Sequence, residues 1–186
     1  MRNMILLGSV LMLLLSSCGT TPTAPVEDKG LKNYSWIGFS LKVPASWEQV
    51  DVDKVSAPIR WKFEFAMRSL VQERGFMNNI TILSDDLMTD VSSWEYARQS
   101  ISLASREYLS VKIESEEVMK FADGSTSQLG IFHAKYNEVT EEHLFLQTAK
   151  VCGKTVYLLT IGLNNETMET LFDQYKNVLA CFTCST

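Results

Sequence analysis

The feature that most constrains the fold is a set of short alternating segments joined by tight turns in the second half of the chain. Asp123-Gly124 is a strong hairpin signal, because both residue types accept positive φ. Further tight turns are predicted at residues 137–140 and 152–154. Short connections of this kind join antiparallel strands. We therefore predict antiparallel strands at residues 111–116, 117–121, 129–136, 144–151 and 155–163.

Three shorter segments in the first half predict further strands. Residues 39–43 alternate apolar and polar side chains, and Pro44 ends this strand because proline has no N–H to donate. The chain resumes an extended course at Trp47. Residues 61–65 alternate aromatic and charged side chains, and residues 79–83 form a shorter apolar segment.

Two other segments have the helical period instead. Residues 90–108 repeat apolar side chains every three or four positions, and Ser92 with Glu95 fits a capping box. Residues 166–180 carry a second apolar stripe that continues to Phe182, and we interpret it as core. Each helix must cover a sheet face. The predicted fold class is α+β, with a central antiparallel β-sheet and helices packed on both faces.

The first seventeen residues have the pattern of a secretory signal peptide. Arg2 is followed by an apolar run over residues 4–15, and the small residues Ser16 and Ser17 precede Cys18. The run is shorter than the roughly 20 apolar residues of a membrane-spanning helix. We therefore predict removal of residues 1–17, with an uncleaved membrane anchor as the alternative.

The end of this stretch, Leu15-Ser16-Ser17-Cys18, resembles the bacterial lipobox. The resemblance implies that Cys18 carries a diacylglycerol thioether, usually with a further acyl group such as palmitate on its amine. Two or more acyl chains hold a protein stably on a membrane. The expected location is the bacterial cell envelope, facing the periplasm or the exterior. Gly19 after the cysteine implies the outer membrane in a host that has one.

Residues 18–30 are predicted to be a flexible linker that carries a single domain at residues 31–186. The segment contains Pro22 and Pro25 and almost nothing apolar, so it cannot bury enough surface to fold. Its twelve residues after Cys18 span roughly 20 Å. Loss of residues 1–17 removes one basic residue, Arg2, and changes the formal net charge from −5 to −6. Such an acidic chain lacks the footprint of a nucleic-acid-binding protein, so no nucleic acid partner is predicted.

The segment at residues 34–47 resembles the opening of PsbP-like domains. It contains Gly38-Phe39-Ser40 and the corner formed by Pro44 and Trp47, and the order of elements that follows is also similar over residues 31–182. The resemblance implies a central antiparallel sheet between helices, in an accessory domain without catalysis. Photosynthetic members are extrinsic subunits of photosystem II, and a eukaryotic relative in fold regulates a nuclear-transport GTPase. No photosystem role or ligand is carried over, because a lipobox and linker replace the photosystem-binding segment.

Three cysteines remain in the predicted mature domain: Cys152, Cys181 and Cys184. Outside the cytoplasm thiols tend to oxidise. Cys181 and Cys184 have the C-x-x-C spacing, but they follow a helix instead of starting one, which disfavours redox catalysis. We predict a structural disulfide, either between Cys181 and Cys184 or between Cys152 and one of them.

The two histidines lie on consecutive predicted strands. If the turn spans residues 137–140, His133 and His143 fall opposite or nearly opposite each other, close to Glu141 and Glu142. This arrangement is an alternative site for zinc or copper. The simpler interpretation is two histidines without a ligand, because no metal-ligand spacing accompanies them. Likewise the acidic clusters at residues 85–90, 114–117 and 141–142 are interpreted as solvated.

No sequence motif for catalysis or phosphate binding is found. We therefore predict a lipid-anchored, non-catalytic binding module for an envelope protein, without a cofactor. Exposed aromatic residues near Tyr34 and Trp36 are the candidate contact surface. The alternative is a lipoprotein that binds a metal or small ligand through His133 and His143.

Overall fold

The computed structural model describes residues 30–54, 61–73, 75–164 and 168–185. The predicted signal peptide, Cys18 and nearly all of the linker lie outside these ranges. Neither helix in the described part is long and apolar enough to cross a membrane.

The described part contains ten strands and two α-helices. The strands are β1 Leu31–Trp36, β2 Phe39–Pro44, β3 Trp47–Gln49, β4 Lys62–Glu73, β5 Phe76–Asp86, β6 Ser110–Lys120, β7 Thr126–Lys135, β8 His143–Cys152, β9 Thr155–Leu163 and β10 Thr183–Cys184. The helices are α1 Ser93–Leu103 and α2 Met168–Ala180, with short 3-10 turns at Val52–Lys54 and Ala104–Arg106.

The strands form two sheets in which every pair of neighbours is antiparallel. The larger sheet has seven strands in the order β3-β4-β5-β9-β8-β7-β6, and the smaller has the order β1-β2-β10. The predicted antiparallel sheet and the two predicted helices are thus confirmed, in a mixed α/β fold. The small sheet was not predicted, because its third strand has only two residues.

One predicted strand break is wrong. Residues 110–120 form a single strand, β6, with a register irregularity between Ile113 and Ser115. Glu116 and Glu117 are consecutive charged residues, a pattern that favours the end of a strand. They lie on the outermost strand of the sheet, where charged side chains remain in water and protect an open edge.

The main hydrophobic core lies between the seven-stranded sheet, the small sheet and α2. Phe39 and Leu41 of β2 meet Val178 and Leu179 of α2 in this cluster, together with Leu159 of β9. Each side chain is almost fully buried, and full burial of an apolar side chain of this size contributes about 1.5–3 kcal/mol. The core therefore depends on elements from both ends of the domain.

A second, smaller cluster contains α1. Ala97 of α1 packs with Ala149 of β8 and with Val156 and Leu158 of β9. Tyr157 and Leu159, the neighbours of Leu158, belong to the main core instead. Successive side chains of a strand point to opposite sides of a sheet. Both sides of β9 are consequently buried.

The predicted capping box of α1 is confirmed. The Glu95 N–H donates to Ser92 Oγ at 3.2 Å, and the Ser92 N–H donates to Glu95 Oε2 at 3.1 Å. The Ser92 hydroxyl also donates to Glu95 Oε2 at 2.8 Å, and this bond, followed by that from the Ser92 N–H, lowers the pKa of the Glu95 carboxyl. The cap fixes where α1 begins and so which of its faces meets the sheet.

Candidate ligand cleft beside the first hairpin

An open cleft of about 750 Å³ lies beside the turn that joins β1 to β2. Its walls come from that turn, the 3-10 turn after β3, the start of β4, the end of β5 and the start of β9. The lining residues are Trp36, Ile37, Gly38, Val52, Asp53, Trp61, Lys62, Phe63, Glu64, Ser84, Asp85, Asp86, Thr155 and Tyr157. The cleft therefore combines an aromatic side with a group of carboxylates.

The apolar side of the cleft is the tip of the β1–β2 hairpin. Ile37 is 91% exposed and Trp36 is 38% exposed. The Trp36 ring has an edge contact with Phe65, at 5.9 Å between ring centroids. Phe39, on the same hairpin, is fully buried and packs on both Phe65 and Tyr157. Contacts between aromatic rings thus fix the hairpin on the sheet, while the Ile37 side chain at its apex remains in solvent.

Gly38 is required for the hairpin to approach the sheet this closely. Its φ is +90°, a backbone region that other residues rarely adopt. A Cβ at this position would also overlap the Tyr157 hydroxyl oxygen. The Gly-Phe-Ser motif noted in the sequence therefore has a physical role here, which is to set the hairpin against β9.

A bulge in β4 places Glu64 in the cleft. Phe63 pairs with Leu83 and Phe65 with Ile82, so one extra residue, Glu64, lies between two consecutive pairs. Bulges of this kind redirect a side chain. The Glu64 side chain is 14% exposed, and its Oε1 accepts from Ser84 Oγ at 2.7 Å. The Lys62 ammonium also lies 2.8 Å from Oε1.

Three strands place a polar row across the floor of the cleft. Lys62 of β4 pairs with Ser84 of β5, and Ser84 pairs with Tyr157 of β9. The hydrogen bond to Glu64 raises the pKa of the Lys62 ammonium. Burial, followed by the charge of Glu64, raises the pKa of the Tyr157 hydroxyl. At neutral pH the floor thus contains a charged lysine and a neutral tyrosine.

The remaining carboxylates give the cleft an acidic character. Asp53, Asp85 and Asp86 join Glu64 in the lining, where Lys62 is the one basic residue of the described set, so the formal charge of the lining is −3. Tyr96 of α1 donates to Asp85 Oδ2 at 3.2 Å. The cleft is consequently suited to a cationic or hydrogen-bond-donating ligand and not to an anion.

The C-terminal residues brace the hairpin from the other side. Thr183 and Cys184 of β10 pair with Ser40 and Phe39 of β2, and the Ser185 N–H donates to the Gly38 carbonyl at 2.9 Å. Cys184 is joined to Cys152 by a disulfide. This is one of the pairings that the sequence left open. Cys181 lies outside that disulfide and its side chain is half-buried.

The structure does not bring the two histidines together. Ala134, not His133, pairs with His143, so the two side chains project to opposite sides of the sheet. His133 lies between two carboxylates, with Nε2 3.2 Å from Glu114 and Nδ1 3.6 Å from Glu142. The two histidines are therefore one position apart in the strand pairing, and the expectation that they face each other is wrong.

His143 is buried and packs against an aromatic ring. It is 7% exposed and its ring stacks on Phe76 at 3.8 Å between centroids. Burial lowers the pKa of its imidazole. Within the described residues, no group of three or more histidine, cysteine, aspartate or glutamate side chains is arranged to hold a metal ion.

The acidic clusters from the sequence have different surroundings. Glu117 pairs with Lys176 of α2 at 2.5 Å, and Glu114 contacts His133. Asp85 and Asp86, by contrast, line the cleft. Sequence reasoning missed the cleft, because its polar residues come from a 3-10 turn and three separate strands, and no local pattern links them.

The chain matches no family model, and no curated protein is significantly similar to it in sequence. Solved structures are similar in fold. The cyanobacterial PsbP protein CyanoP from Synechocystis sp. PCC 6803 superposes with a TM-score of 0.58 at 16% identity, over 92% of this chain and 99% of that chain. PA94 from Pseudomonas aeruginosa, a protein described as a putative regulator, gives a TM-score of 0.51 at 10% identity, over 81% and 94% of the two chains.

A third solved structure, the Ran-binding protein Mog1p from Saccharomyces cerevisiae, gives a TM-score of 0.48 at 12% identity, over 82% of this chain and 95% of that chain. Identities this low define the fold alone. The chain has a PsbP-like fold, as the opening motif predicted.

Proposed function

We propose that this chain is a lipid-anchored protein of the bacterial cell envelope whose PsbP-like domain binds a protein partner without catalysing a reaction. The observation that carries the proposal is a lipobox-type sequence at Leu15–Cys18, placed one linker ahead of a domain with a fold shared by CyanoP. Such a domain is compatible with an accessory role, because its neighbours in fold include PsbP-type proteins.

The anchor is proposed to be the acylated Cys18. Each CH₂ of a buried acyl chain contributes about 0.8 kcal/mol, so the two chains of a diacylglycerol group attach the protein stably. The linker at residues 19–30 then lets the domain reach roughly 20 Å from the bilayer. Residues 31–186 are proposed to act as one domain, on the periplasmic or exterior side.

The proposed layer arrangement places α1 and α2 on opposite faces of the seven-stranded sheet. The alternation along β9 supports it: Val156 and Leu158 pack in the cluster that contains Ala97 of α1, whereas Leu159 and Ile161 pack in the cluster that contains Leu179 of α2. In this arrangement the cleft lies where β4 and β9 begin and β5 ends, and Tyr96 of α1 reaches its Asp85.

The contact surface is proposed to be the cleft together with the hairpin tip at Trp36 and Ile37. Ile37 at the hairpin apex is 91% exposed and adjoins the partly exposed Trp36, so the two form an apolar patch that a partner can cover. A polar rim around an apolar centre is typical of protein–protein contacts. Here the rim is formed by the carboxylates of the cleft.

A site-specific crosslinking experiment tests the contact surface. A photo-crosslinking amino acid replaces Ile37 in the full-length protein expressed in cells, and Val139 is replaced in the control. The two positions are matched, since Val139 is 92% exposed and lies on the β7–β8 loop. We expect a discrete crosslinked protein from position 37 and none from position 139. Identical crosslinking patterns from both positions would contradict the proposed surface.

The anchor is tested separately with Cys18→Ser. The unchanged protein should incorporate an alkyne analogue of palmitate and fractionate with membranes. The Cys18→Ser variant should lose both properties. Membrane attachment and label uptake that persist in the variant would show that Cys18 is not the acylated residue.

A further inference from the structure

We propose that the cleft binds the guanidinium group of an arginine in an apolar segment of the partner protein, and that Lys62 occupies this position until the partner arrives. The inference rests on the proposed function, because it specifies the chemistry of the partner. In this proposal Glu64 binds the arginine and Lys62 competes with it. Substitutions at these two positions should therefore have opposite effects on partner binding.

The first observation is that a cation already lies on the cleft carboxylate. Lys62 Nζ is 2.8 Å from Glu64 Oε1, although 75% of the Lys62 side chain is exposed. An exposed lysine has many rotamers to choose from, and an ion pair with an exposed lysine contributes little to stability. A stronger cationic donor can therefore displace Lys62 at small cost, while Glu64 remains fixed by Ser84 and the bulge.

The second observation is the chemistry of the walls. Trp36 lines the cleft with part of its ring in solvent, whereas Trp61, also in the lining, is buried and packs against Tyr96. A guanidinium is planar, binds carboxylates through two parallel N–H groups and stacks on aromatic rings. An ammonium such as that of Lys62 is more strongly hydrated and offers no planar fork. The cleft therefore favours arginine over lysine.

The third observation selects a protein segment over a free amine. Ile37 at the hairpin tip lies beside the carboxylates and is 91% exposed, so an occupant that brings apolar side chains beside its arginine covers more apolar surface than a small polar cation does. An anionic lipid headgroup is disfavoured by the formal charge of −3 on the lining. Glu64 already accepts hydrogen bonds, and no described cluster is arranged for a metal ion.

The test uses the full lipidated protein in detergent micelles and a fluorescent peptide that contains one arginine between leucines. The comparison peptide carries citrulline, which has the same shape without the charge. We expect the arginine peptide to bind at least about tenfold more tightly, since a charge-assisted hydrogen bond is lost with citrulline. Equal binding of the two peptides would overturn the inference.

Variants on the protein side separate this site from general electrostatics. Glu64→Gln should weaken binding of the arginine peptide about tenfold, and Lys62→Gln should tighten it because the internal competitor is gone. Glu138→Gln, an exposed glutamate on the distant β7–β8 loop, should leave binding unchanged. If Glu64→Gln lowers the melting temperature, the exposed Asp86→Asn replaces it as the weakening variant. Weaker binding by Lys62→Gln would overturn the inference.

Free spermidine identifies the source of the cation. If it competes as well as the arginine peptide at equal concentration, the site binds small amines and the proposed peptide segment is wrong. This outcome differs from failure of the proposed function, which is judged by crosslinking at position 37. Specific crosslinking together with no preference for arginine would leave the partner role standing and remove the cation site.

Discussion

The two ends of the seven-stranded sheet both carry polar clusters, but they differ in what those polar groups face. At the histidine end, His133 Nε2 lies 3.2 Å from Glu114, whereas Nδ1 is 3.6 Å from Glu142 and has no hydrogen-bond partner among the described residues. His143 is stacked on Phe76. At the cleft end, carboxylates face an open volume of about 750 Å³. The polar groups at the histidine end pack against protein, whereas those at the cleft end border an open volume where a ligand can contact them.

The two ends also differ in how they are held. The β7–β8 loop is built locally, since Asn137 Oδ1 accepts from the N–H groups of both Val139 and Thr140. The cleft hairpin is held by distant parts of the chain, namely the tail after α2, Tyr157 and the Cys152–Cys184 disulfide. Changes at the cleft end should therefore have larger effects than changes at the histidine end.

Removal of the disulfide is expected to have the largest effect. The Cys152→Ser/Cys184→Ser double variant should lose about 2–4 kcal/mol of unfolding free energy, because the bond closes a loop with a sequence separation of 32. Urea unfolding under oxidising conditions measures the loss. Faster amide exchange in β2 should accompany it, as β10 is no longer tied to β8. Cys181→Ala is the control and should stay within about 1 kcal/mol; an equal loss in this control would refute the assignment.

Gly38→Ala should have the next largest effect. The new methyl group meets Tyr157 in a backbone conformation that already disfavours alanine, so we expect a loss of about 2–3 kcal/mol. Gly124→Ala is the matched control, because Gly124 also has a positive φ but has nothing within 4 Å of the added carbon. It should lose only about 1 kcal/mol. Thermal unfolding of both variants measures these losses of stability. Equal losses would show that the close approach to Tyr157 does not affect the stability of the domain.

A smaller, pH-dependent effect is expected at Lys150, which pairs with Tyr157 of the cleft floor. Lys150 is 3% exposed and its ammonium lies 2.6 Å from Asp123. Hydrogen bonds from Lys150 and then Ser125 lower the pKa of Asp123 from 3.8 to about 2. Because the folded-state pKa is depressed, this stabilisation is present above pH 3.8 and is lost as the pH falls towards 2.

Acid titration of stability measures this effect. The Asp123→Asn variant should show a shallower fall of unfolding free energy between about pH 4 and pH 2 than the unchanged protein. Ser125→Ala should remove part of the same slope. The effect is modest because the Asp123 side chain is 43% exposed. Parallel stability curves for all three proteins would contradict the assignment.

The histidine end should show the smallest effects. His133→Gln should change the unfolding free energy by no more than about 0.5 kcal/mol, as the side chain is near the surface. Elemental analysis of the purified protein should find no stoichiometric zinc or copper before or after this change. Stoichiometric metal that disappears with His133→Gln would restore the metal-binding alternative and reverse the comparison between the two ends.

Local signals predicted much of the fold. The capping box at Ser92 and Glu95 placed α1, and Asp123-Gly124 placed the β6–β7 turn, because each depends on neighbouring residues only. The cleft was not predictable in the same way. One of its carboxylates, Glu64, reaches the cleft through a bulge whose position depends on pairing with β5. The histidine register failed for a related reason, since a shift of one residue reverses the side to which a strand residue points.

The contact between the two extremities of the domain also sets an order of assembly. Ser40 and Thr183 touch through their hydroxyl groups at 2.8 Å although 143 positions separate them along the chain. The wall of the cleft that is synthesised first is thus completed by the part synthesised last. A nascent chain without residues 183–184 lacks the third strand beside β2, so a partner that bound this hairpin, as proposed above, would distinguish finished molecules from unfinished ones.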